Sequence, residues 1–533
     1  MTLRIFPALF IASIVCLSAE DSFAQRDPGV RGGLQSTGGG LQAQGIKIPP
    51  PPLISDHPTT GAKITDNEKR SFIEGILRAG QLESTCEECA MVTDGSPVVK
   101  NPINGLRELD PTFPQFTTNS NGLGARHNAD QCFACHGQPT LGGSGGFLVP
   151  NPVDLARFGP PAARPPENPQ FDLIPHRFGR RNTVPSFQQQ YGPIREVRFI
   201  NKVDANGDIL RDNNGRAMPD GGVHQLWTVR GDRTDTTIPR CSITQPDFEK
   251  QVRQNNIAFR IPLQMTGLGL IESIQDREIL AQQAATASRR AALGIVGRPN
   301  RSGNDGTITR FGWKAQNKSI TIFAGEAYNV EQGITNELFP TPTEEDPDCT
   351  GAGKPAPVDV TRTDPTDQAN QAFNNPVHIM ADWMQFSLLM RFTDGPQPVS
   401  NPGQSALRGR HLFADIGCAA CHTQTMQTAP VMVSAVLQNR PVNLYSDLLI
   451  HDMGTGLADG ISQGLAGPRE FRTTPLWGVG QRIFFLHDGR TNDLHEAIRE
   501  HASSGSEANA VVSAFNALGS SDKQAILNFL RSL

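Results

Sequence analysis

One five-residue pattern occurs twice in this chain, as Cys132-Phe-Ala-Cys135-His136 and as Cys418-Ala-Ala-Cys421-His422. Cys-x-x-Cys-His is typical of covalently attached haem c, in which both thiols bond to the porphyrin and the histidine binds the iron. Half a zinc site and a redox-active dithiol are the alternatives, but a zinc finger needs a second ligand pair, and neither pentad has one at the usual spacing. The sequence therefore predicts two haem c groups, with His136 and His422 as iron ligands.

The first 24 residues have the features of a signal peptide. Arg4 precedes an apolar run from Ile5 to Leu17, and Ser22-Phe23-Ala24 puts small residues at the positions that a signal peptidase reads. We therefore expect cleavage after Ala24 and a periplasmic or secreted protein, in a compartment where disulfides persist. No later stretch approaches the ~18 apolar residues of a membrane span, so none is expected.

The net charge and the cysteines outside the two pentads narrow the range of partners and cofactors. The formal net charge of -5 gives no reason to expect a nucleic-acid partner. Cys86-Glu-Glu-Cys89 lacks a following histidine, so it is not a third haem site. We expect a local disulfide between Cys86 and Cys89 and a second between Cys241 and Cys349, with a redox-active Cys86/Cys89 pair as the alternative.

A short acidic segment, Asp204-Ala-Asn-Gly-Asp208, resembles part of a calcium loop. Its glycine is at the wrong place and no glutamate closes the loop, so the segment predicts a hairpin turn instead. A bound calcium ion is thus possible, but the sequence does not indicate one.

Composition and helical spacing divide the chain. We expect a flexible Gly/Pro-rich leader over 25–62, an N-terminal haem domain with loop insertions over 63–397, and a C-terminal cytochrome c-like haem domain over 398–533. Helical spacing of apolar residues predicts helices over 67–82, 272–292, 319–327, 371–392, 403–416, 493–501 and 521–533. The expected fold class is mainly α, with two cytochrome c-like haem domains, long Gly/Pro-rich loops and a few short β-hairpins.

Further motifs carry a family resemblance. They are Tyr445-Ser-Asp-Leu-Leu-Ile-His451-Asp-Met-Gly, Thr474-Pro-Leu-Trp477, Phe485-Leu-His487-Asp-Gly-Arg490 and Glu496-Ala-Ile. With the two pentads, they resemble the di-haem cytochrome c peroxidase and MauG-like superfamily, and within it the di-haem oxidoreductase branch, often called thiol oxidoreductases. The resemblance covers about residues 120–533. It implies an oxidoreductase whose N-terminal haem activates peroxide or dioxygen and whose C-terminal haem relays electrons.

The resemblance also implies roles for single residues. In the superfamily a Trp, a Gln and then a Glu follow the first pentad; here Trp313 and Glu331 match, while Phe323 stands at the Gln position. Glu331 is the expected distal acid/base, with Glu272 and Gln264 as other candidates, and Trp313 is the expected aromatic group between the haems.

The sixth ligand of the second haem is expected in the helix after His487. Counting the superfamily's distance from His487 reaches His501, with Met453 as the alternative. A second imidazole is a stronger donor to ferric iron than a thioether, so His501 predicts a lower potential than a His/Met centre.

The partners that these expectations imply are hydrogen peroxide or dioxygen, and a small periplasmic electron donor or a protein or organic substrate. Two other functions stay open at the level of the sequence. One is a di-haem electron-transfer cytochrome with both irons fully ligated, and the other is an oxygenase that acts on an organic or polymeric substrate.

Overall fold

The structure is a computed structural model that describes residues 25–29, 51–80, 123–129, 131–145, 168, 170, 182–228, 243–343, 380–432 and 434–533, and the backbone of a few short strands outside these ranges. The predicted signal peptide and the pairs Cys86/Cys89 and Cys241/Cys349 lie outside the described residues. Within the described part, no helix is both long and apolar enough to cross a membrane.

The regular secondary structure of the described residues is mainly α-helical, as the sequence predicts. The helices are α1 (Asp66–Ala79), α2 (Cys132–Cys135), α3 (Phe248–Arg253), α4 (Leu268–Glu272), α5 (Asp276–Ala285), α6 (Ala287–Leu293), α7 (Ile320–Gln332), α8 (Asp382–Phe392), α9 (Gly403–Asp415), α10 (Leu494–Arg499), α11 (Asn509–Ala517) and α12 (Ser520–Ser532). Short 3-10 helices lie at Cys418–Ala420, Ala435–Leu437 and Val479–Gln481.

The strands are short and pair in twos. The antiparallel pairs are β1 (Leu41–Gln42) with β2 (Gly45–Ile46), β3 (Val98–Lys100) with β4 (Arg107–Leu109), β5 (Arg126–His127) with β7 (Trp227–Thr228), β6 (Glu196–Phe199) with β8 (Ile257–Arg260), β9 (Asn300–Arg301) with β10 (Ile308–Thr309), β13 (Met426–Gln427) with β14 (Pro441–Val442), and β15 (Ile450–Asp452) with β16 (Glu470–Arg472). One pair, β11 (Thr335–Asn336) with β12 (Val358–Asp359), is parallel.

The predicted helix over 272–292 is divided. It folds as α5 and α6, which meet at Thr286. The Thr286 hydroxyl donates to the Gln282 carbonyl at 2.9 Å, and such a bond to the carbonyl four residues earlier competes with regular helix geometry. The pattern over 371–392 is helical from Asp382, and 371–379 lie outside the described part.

Helix α1 packs closely against α8. Its first turn is fixed by a capping box in which Thr65 and Glu68 each bond to the backbone of the other. Gly75 faces α8 so closely that a Cβ there would lie 2.6 Å from the Leu389 Cβ. A side chain at position 75 would therefore push the two helices apart.

Helices α9 and α12 make the matching contact in the C-terminal part. A Cβ at Gly409 would collide with the backbone carbonyl of Ala525, so only glycine permits this approach. Phe413 and Phe529 meet edge to face beside it, with 5.4 Å between ring centroids. The C-terminal hydrophobic cluster includes both rings.

The largest hydrophobic cluster spans the predicted boundary at 397/398. It contains Phe133, Ile271 and Trp383 from the N-terminal side and Leu448 and Trp477 from the C-terminal side. Burial of apolar surface across this line links the two halves. The division into two haem domains stays a prediction.

The start of the predicted leader contacts the C-terminal helices. The side chains of Asp27 and Arg531 form an ion pair at 2.6 Å and are only 8% and 6% exposed. Asp27 also accepts a hydrogen bond from the first backbone amide of α10, at Leu494, at 2.9 Å. Residues 25–29 are therefore tied to the second pentad's half of the protein.

The acidic segment at 204–208 is a turn, as predicted. The Asp204 carboxylate accepts from the backbone amides of Asn206 and Asp208, each at 2.9 Å, and Gly207 has a positive φ of 77°. Lys250 lies 2.7 Å from the Asp208 carboxylate. Backbone amides and a lysine thus account for the carboxylates of this loop.

Candidate haem sites

Each Cys-x-x-Cys-His pentad lines its own cavity. Cys132, Cys135 and His136 line a first cavity of about 320 Å³. The second pentad, Cys418–His422, lines a cavity of about 220 Å³. The two pentads therefore stand at separate sites.

The backbone folds the same way at both pentads. The amide of His136 donates to the Cys132 carbonyl at 3.0 Å, and the amide of His422 donates to the Cys418 carbonyl at 2.9 Å. One helical turn brings residues three and four apart to the same side. Both cysteines and the histidine of each pentad therefore face one cavity, which is what attachment to a single porphyrin requires.

Three predicted iron ligands share one orienting contact. In each, Nδ1 lies close to a backbone carbonyl oxygen. The distance is 3.2 Å from His136 to Gly143, 3.0 Å from His422 to Tyr445, and 2.7 Å from His501 to Ala497. A backbone carbonyl at Nδ1 fixes the proton there and leaves Nε2 as the metal-binding atom.

Burial keeps these imidazoles neutral, which metal binding requires. It lowers the pKa of His136 and of His501, and it lowers the pKa of His422 to about 4, with the charge of His501 adding to the effect. His422 and His501 line the same cavity, so the structure brings together the two residues predicted to ligate the second iron.

Met453, the alternative sixth ligand, also lines the second cavity. It packs with Ile261, Trp313 and Phe471 in a small hydrophobic cluster. Its backbone pairs with Ser506, whose hydroxyl donates to the His501 carbonyl at 2.6 Å, so both ligand candidates are held by the same segment.

The cysteine environment argues against a reactive dithiol. Burial, together with the charge of Cys421, raises the pKa of Cys418 to about 12. A thiol-disulfide exchange site needs a thiolate near neutral pH. The second pentad therefore fits thioether attachment better than redox exchange.

Two buried arginines in the second cavity support a bound haem. Burial lowers the pKa of Arg472 and of Arg482 to about 10, and no described carboxylate offsets it. Nε and Nη2 of Arg482 have no hydrogen-bond partner among the described residues. A buried guanidinium needs an anion, and the propionates of haem are carboxylates that bind arginine well. The residues of this cavity therefore fit the group that the pentad implies.

A metal site is the competing explanation for Cys421. Its sulfur, an Asp447 oxygen and a His451 nitrogen lie within 4.8 Å of one another. However, His451 is held between Asp447 at 3.0 Å and Glu507 at 2.7 Å, and Arg290 lies 3.3 Å from the same Asp447 carboxylate. An ion pair network already uses these ligand atoms, and its arginine would repel a cation.

Glu331, the predicted distal acid, lines the first cavity at the end of α7. Its Oε2 accepts a hydrogen bond from the Asn128 amide at 2.9 Å. Burial raises the pKa of Glu331, and the negative charge of Glu196 raises it further. The carboxyl group can therefore hold a proton at a pH where an exposed glutamate cannot.

Trp313 alone among the described residues lines both cavities. Its Nε1 donates to the Ile261 carbonyl at 2.9 Å, which fixes the ring. Lys314, fully buried, lies 4.0 Å from the centroid of the Phe471 ring and 3.1 Å from Asp459. The predicted aromatic group between the haems is thus at the boundary of the two sites.

The other candidates for the distal group differ in whether they line the first cavity. Gln264 and Phe323 line the first cavity, so the position where the superfamily has Gln does face this site. Glu272 instead accepts from Arg391 at 2.8 Å and from the Ile320 backbone amide at 2.9 Å, and it is not among the residues that line the cavity. Glu272 therefore has a structural role at the start of α7.

Sequence reasoning missed four charged residues that line the first cavity, which are Glu196, Arg198, Arg260 and Glu326, and the first two belong to one strand. These two lie on β6, where residues two apart share a face. The alternation of these charges with the buried Val197 and Phe199 is a signal that a search for strands in the Gly/Pro-rich segment can use.

Similar solved structures cover only part of the chain. Hydrazine synthase of Kuenenia stuttgartiensis has 17% identity over 28% of this chain and 55% of its own, with a TM-score of 0.19. A MauG-like protein associated with microbial copper homeostasis has 17% identity over 31% of this chain and 55% of its own, with a TM-score of 0.22. The diheme peroxidase BthA from Burkholderia thailandensis E264 has 13% identity over 46% of this chain and 76% of its own, with a TM-score of 0.25. The chain thus spans about half the length of the first two, and the scores carry no argument about its fold.

No curated protein matches the sequence. A family model described as "Di-haem oxidoreductase, putative peroxidase" matches residues 231–533, more than half of the chain. The match includes the second pentad, His501 and both Trp313 and Glu331, so it covers most of the residues that form the two cavities. The chain therefore belongs to the di-haem oxidoreductase family.

Proposed function

We propose that the protein is an exported di-haem peroxidase in which the first site activates hydrogen peroxide or dioxygen and the second site relays electrons. The asymmetry of the two cavities carries the proposal. The first contains Glu331, a buried carboxyl group that can hold a proton, whereas the second has a second imidazole, His501, in the same cavity as the proximal His422. An open site and a fully ligated site are what peroxide activation and electron storage respectively need.

Haem c would be held at the first site by Cys132, Cys135 and His136, and at the second by the Cys418–His422 pentad with His501. When bound, haem supplies the iron centre that binds the oxidant and the electrons that break its O–O bond. Arg472 and Arg482 would neutralise the propionates of the second haem, because both guanidiniums are buried without a carboxylate partner among the described residues.

Glu331 moves protons at the first site. Its carboxyl group, oriented by the Asn128 amide, would take a proton from one oxygen of the peroxide or give one to the other, which would lower the barrier to O–O cleavage. Apolar side chains that line the same cavity, such as Phe323, Phe386 and Met390, exclude water from the reacting atoms.

Trp313 connects the two sites. Its ring lines both cavities and its orientation is fixed by the Ile261 carbonyl. A rigid aromatic ring at this position would give electrons a short path between the two sites. A small periplasmic electron donor, or an oxidisable protein or organic substrate, would then supply electrons to the second site.

Carbon monoxide binding tests the proposal. Reduced haem-loaded protein should bind carbon monoxide at one of its two haems, and the oxidised protein should react with hydrogen peroxide at that haem. His501→Ala should add carbon monoxide binding at the second haem. Binding at neither haem in the native protein would contradict the proposal and favour an electron-transfer cytochrome.

A further inference from the structure

Two carboxyl groups meet at the wall of the first cavity. Glu331 lies at the end of α7 and Glu196 at the start of β6, and both line the cavity. The Glu196 carboxyl group acts on that of Glu331 through its charge and as a hydrogen-bond partner. Two ionised carboxylates in one buried site repel each other, so a proton between them is the stable arrangement.

The surroundings of the two carboxyl groups differ. The Arg198 guanidinium donates to Glu196 at 2.5 Å and to the Gly221 carbonyl at 2.8 Å, so a positive charge stabilises ionised Glu196. Glu331 receives a neutral donor, the Asn128 amide, at 2.9 Å. The proton of the pair therefore resides on Glu331 and the negative charge on Glu196.

Two other ionisable residues near the pair, Glu326 and Arg260, have partners outside it. Glu326, on the same helix as Glu331, accepts from the Asn317 amide, and burial raises the pKa of its carboxyl group. Arg260, on β8 beside β6, is paired with Asp459 at 2.7 Å. Glu196 and Arg198 are thus the charges that act most directly on Glu331.

We propose that Glu196 and Glu331 share one proton at the first haem site, and that Glu196 accepts a proton from the oxidant while Glu331 donates one. The inference rests on the proposed function. One proton would pass from one oxygen of hydrogen peroxide to the Glu196 carboxylate, and the proton of Glu331 would pass to the other oxygen. When the O–O bond breaks with two electrons that a bound haem would supply, the second oxygen leaves as water and the first, which has lost its proton, stays at the haem site. The pair ends with one proton, as it began.

A pair avoids a step that a single carboxyl group must make. One carboxyl group has to take the proton, turn and return it to the second oxygen. Two groups, each fixed by its own donor, can act at the two oxygens without moving. Arg198 and Asn128 therefore position a proton acceptor and a proton donor side by side.

Infrared titration of the haem-loaded resting protein tests the pair without turnover. The carboxylic acid C=O band that is absent from Glu331→Gln reports the protonation of Glu331. Removing the negative charge at position 196 in Glu196→Gln lowers the pKa of Glu331, so the band should disappear at a pH lower by about one unit or more. Glu326→Gln, which removes another buried carboxyl group of the same cavity, should leave the midpoint of the Glu331 band unchanged.

An unchanged midpoint in Glu196→Gln would overturn the shared proton. The pH dependence of the reaction with peroxide should shift in the same direction as the band in Glu196→Gln. A protein whose band shifts but which does not react with peroxide would contradict the proposed function and still support the pair. If the native protein and Glu196→Gln react with peroxide with the same pH profile, only the proposed role of Glu196 as proton acceptor is overturned.

Discussion

The indole ring of Trp313 meets the imidazole ring of His487 edge to face, with 6.3 Å between their centroids. His487 is buried, stacks on Phe471 at 4.3 Å and lines the second cavity. Burial lowers the pKa of His487 to about 4, so a neutral ring stands against the indole near pH 7. The aromatic contact therefore joins Trp313 to the second site without placing a titrating charge beside it.

Replacing Trp313 tests its place between the sites. In Trp313→Phe, transfer from the second haem to the first after mixing with peroxide should slow by about tenfold or more, which corresponds to ~1.4 kcal/mol of barrier. Stopped-flow absorbance of the second haem measures this step. Trp477→Phe is the matched control, because Trp477 is buried in the main hydrophobic cluster and lines neither cavity. Equal rates in both variants would rule out a path through Trp313.

The sixth ligand of the second haem is testable by spin state. His501→Ala should convert this haem from low-spin to high-spin, because it removes the imidazole whose Nδ1 is anchored on the Ala497 carbonyl. Met453→Leu, a change in the same cavity, should leave the haem low-spin. Electron paramagnetic resonance distinguishes the two states. The opposite result would mean a His/Met centre.

Glu331→Gln should retain both haems and slow the reaction with peroxide by ~10²-fold or more, since it removes a general acid/base. Rapid-mixing absorbance of the first haem measures the rate. Gln264→Ala serves as the comparison, because this side chain lines the same cavity and carries no acid. A native rate in Glu331→Gln would place proton transfer elsewhere.

The same residue predicts a pH dependence of stability. Burial raises the pKa of Glu331 above its ordinary value of 4.5, so above that pH the unfolded chain releases a proton that the folded protein keeps. The folded state then binds more protons than the unfolded state, and the free energy of unfolding falls as the pH rises from 4.5 to the folded pKa. Denaturation midpoints across this range should fall less steeply in Glu331→Gln. Parallel curves would contradict a protonated Glu331.

Covalent haem content tests the two pentads. The native protein should hold two haems per chain that acid acetone does not extract. Cys135→Ala should disrupt covalent attachment at the first site alone, and Cys421→Ala at the second alone. The pyridine haemochrome spectrum reports the remaining attachments. A protein with bound zinc and no covalent haem would contradict the assignment of both sites.

The buried Asp27–Arg531 pair should contribute to stability. Asp27→Asn leaves Arg531 buried without its counter-charge and should lower the free energy of unfolding by about 3 kcal/mol. Asp56→Asn is the control, since Asp56 and its partner Lys63 are 53% and 78% exposed, and its effect should stay within about 0.5 kcal/mol. Urea denaturation measures both. Equal effects would mean that burial of the pair does not matter.

Local patterns predicted the elements that depend on local chemistry. The pentads, the turn at Asp204 and the C-terminal helices follow from spacing and from residue type over a few positions. The sequence also placed Trp313, Glu331 and His501 among the candidates, and all three line a cavity.

Contacts between distant segments could not be predicted in this way. Glu196 on β6 and Glu331 on α7 line one cavity, and periodicity within one segment does not reveal which distant segment lies beside it. The role of Glu272 depends on Arg391, which lies in another helix. The Nε and Nη2 atoms of Arg482 lack a partner among the described residues because distant segments bury the guanidinium, which no local pattern predicts.

The contact of Asp27 with Arg531 joins positions 504 residues apart. During synthesis the N-terminal residue is made first, and its partner appears only with the last helix. Arg531 also donates to the Arg482 carbonyl at 2.9 Å, so the loop that contains Arg482 is secured by the same late residue. The framework around the second pentad can therefore close only after nearly the whole chain has been made. Assembly is thus ordered in time, because the first pentad is synthesised well before the second half can reach its final shape.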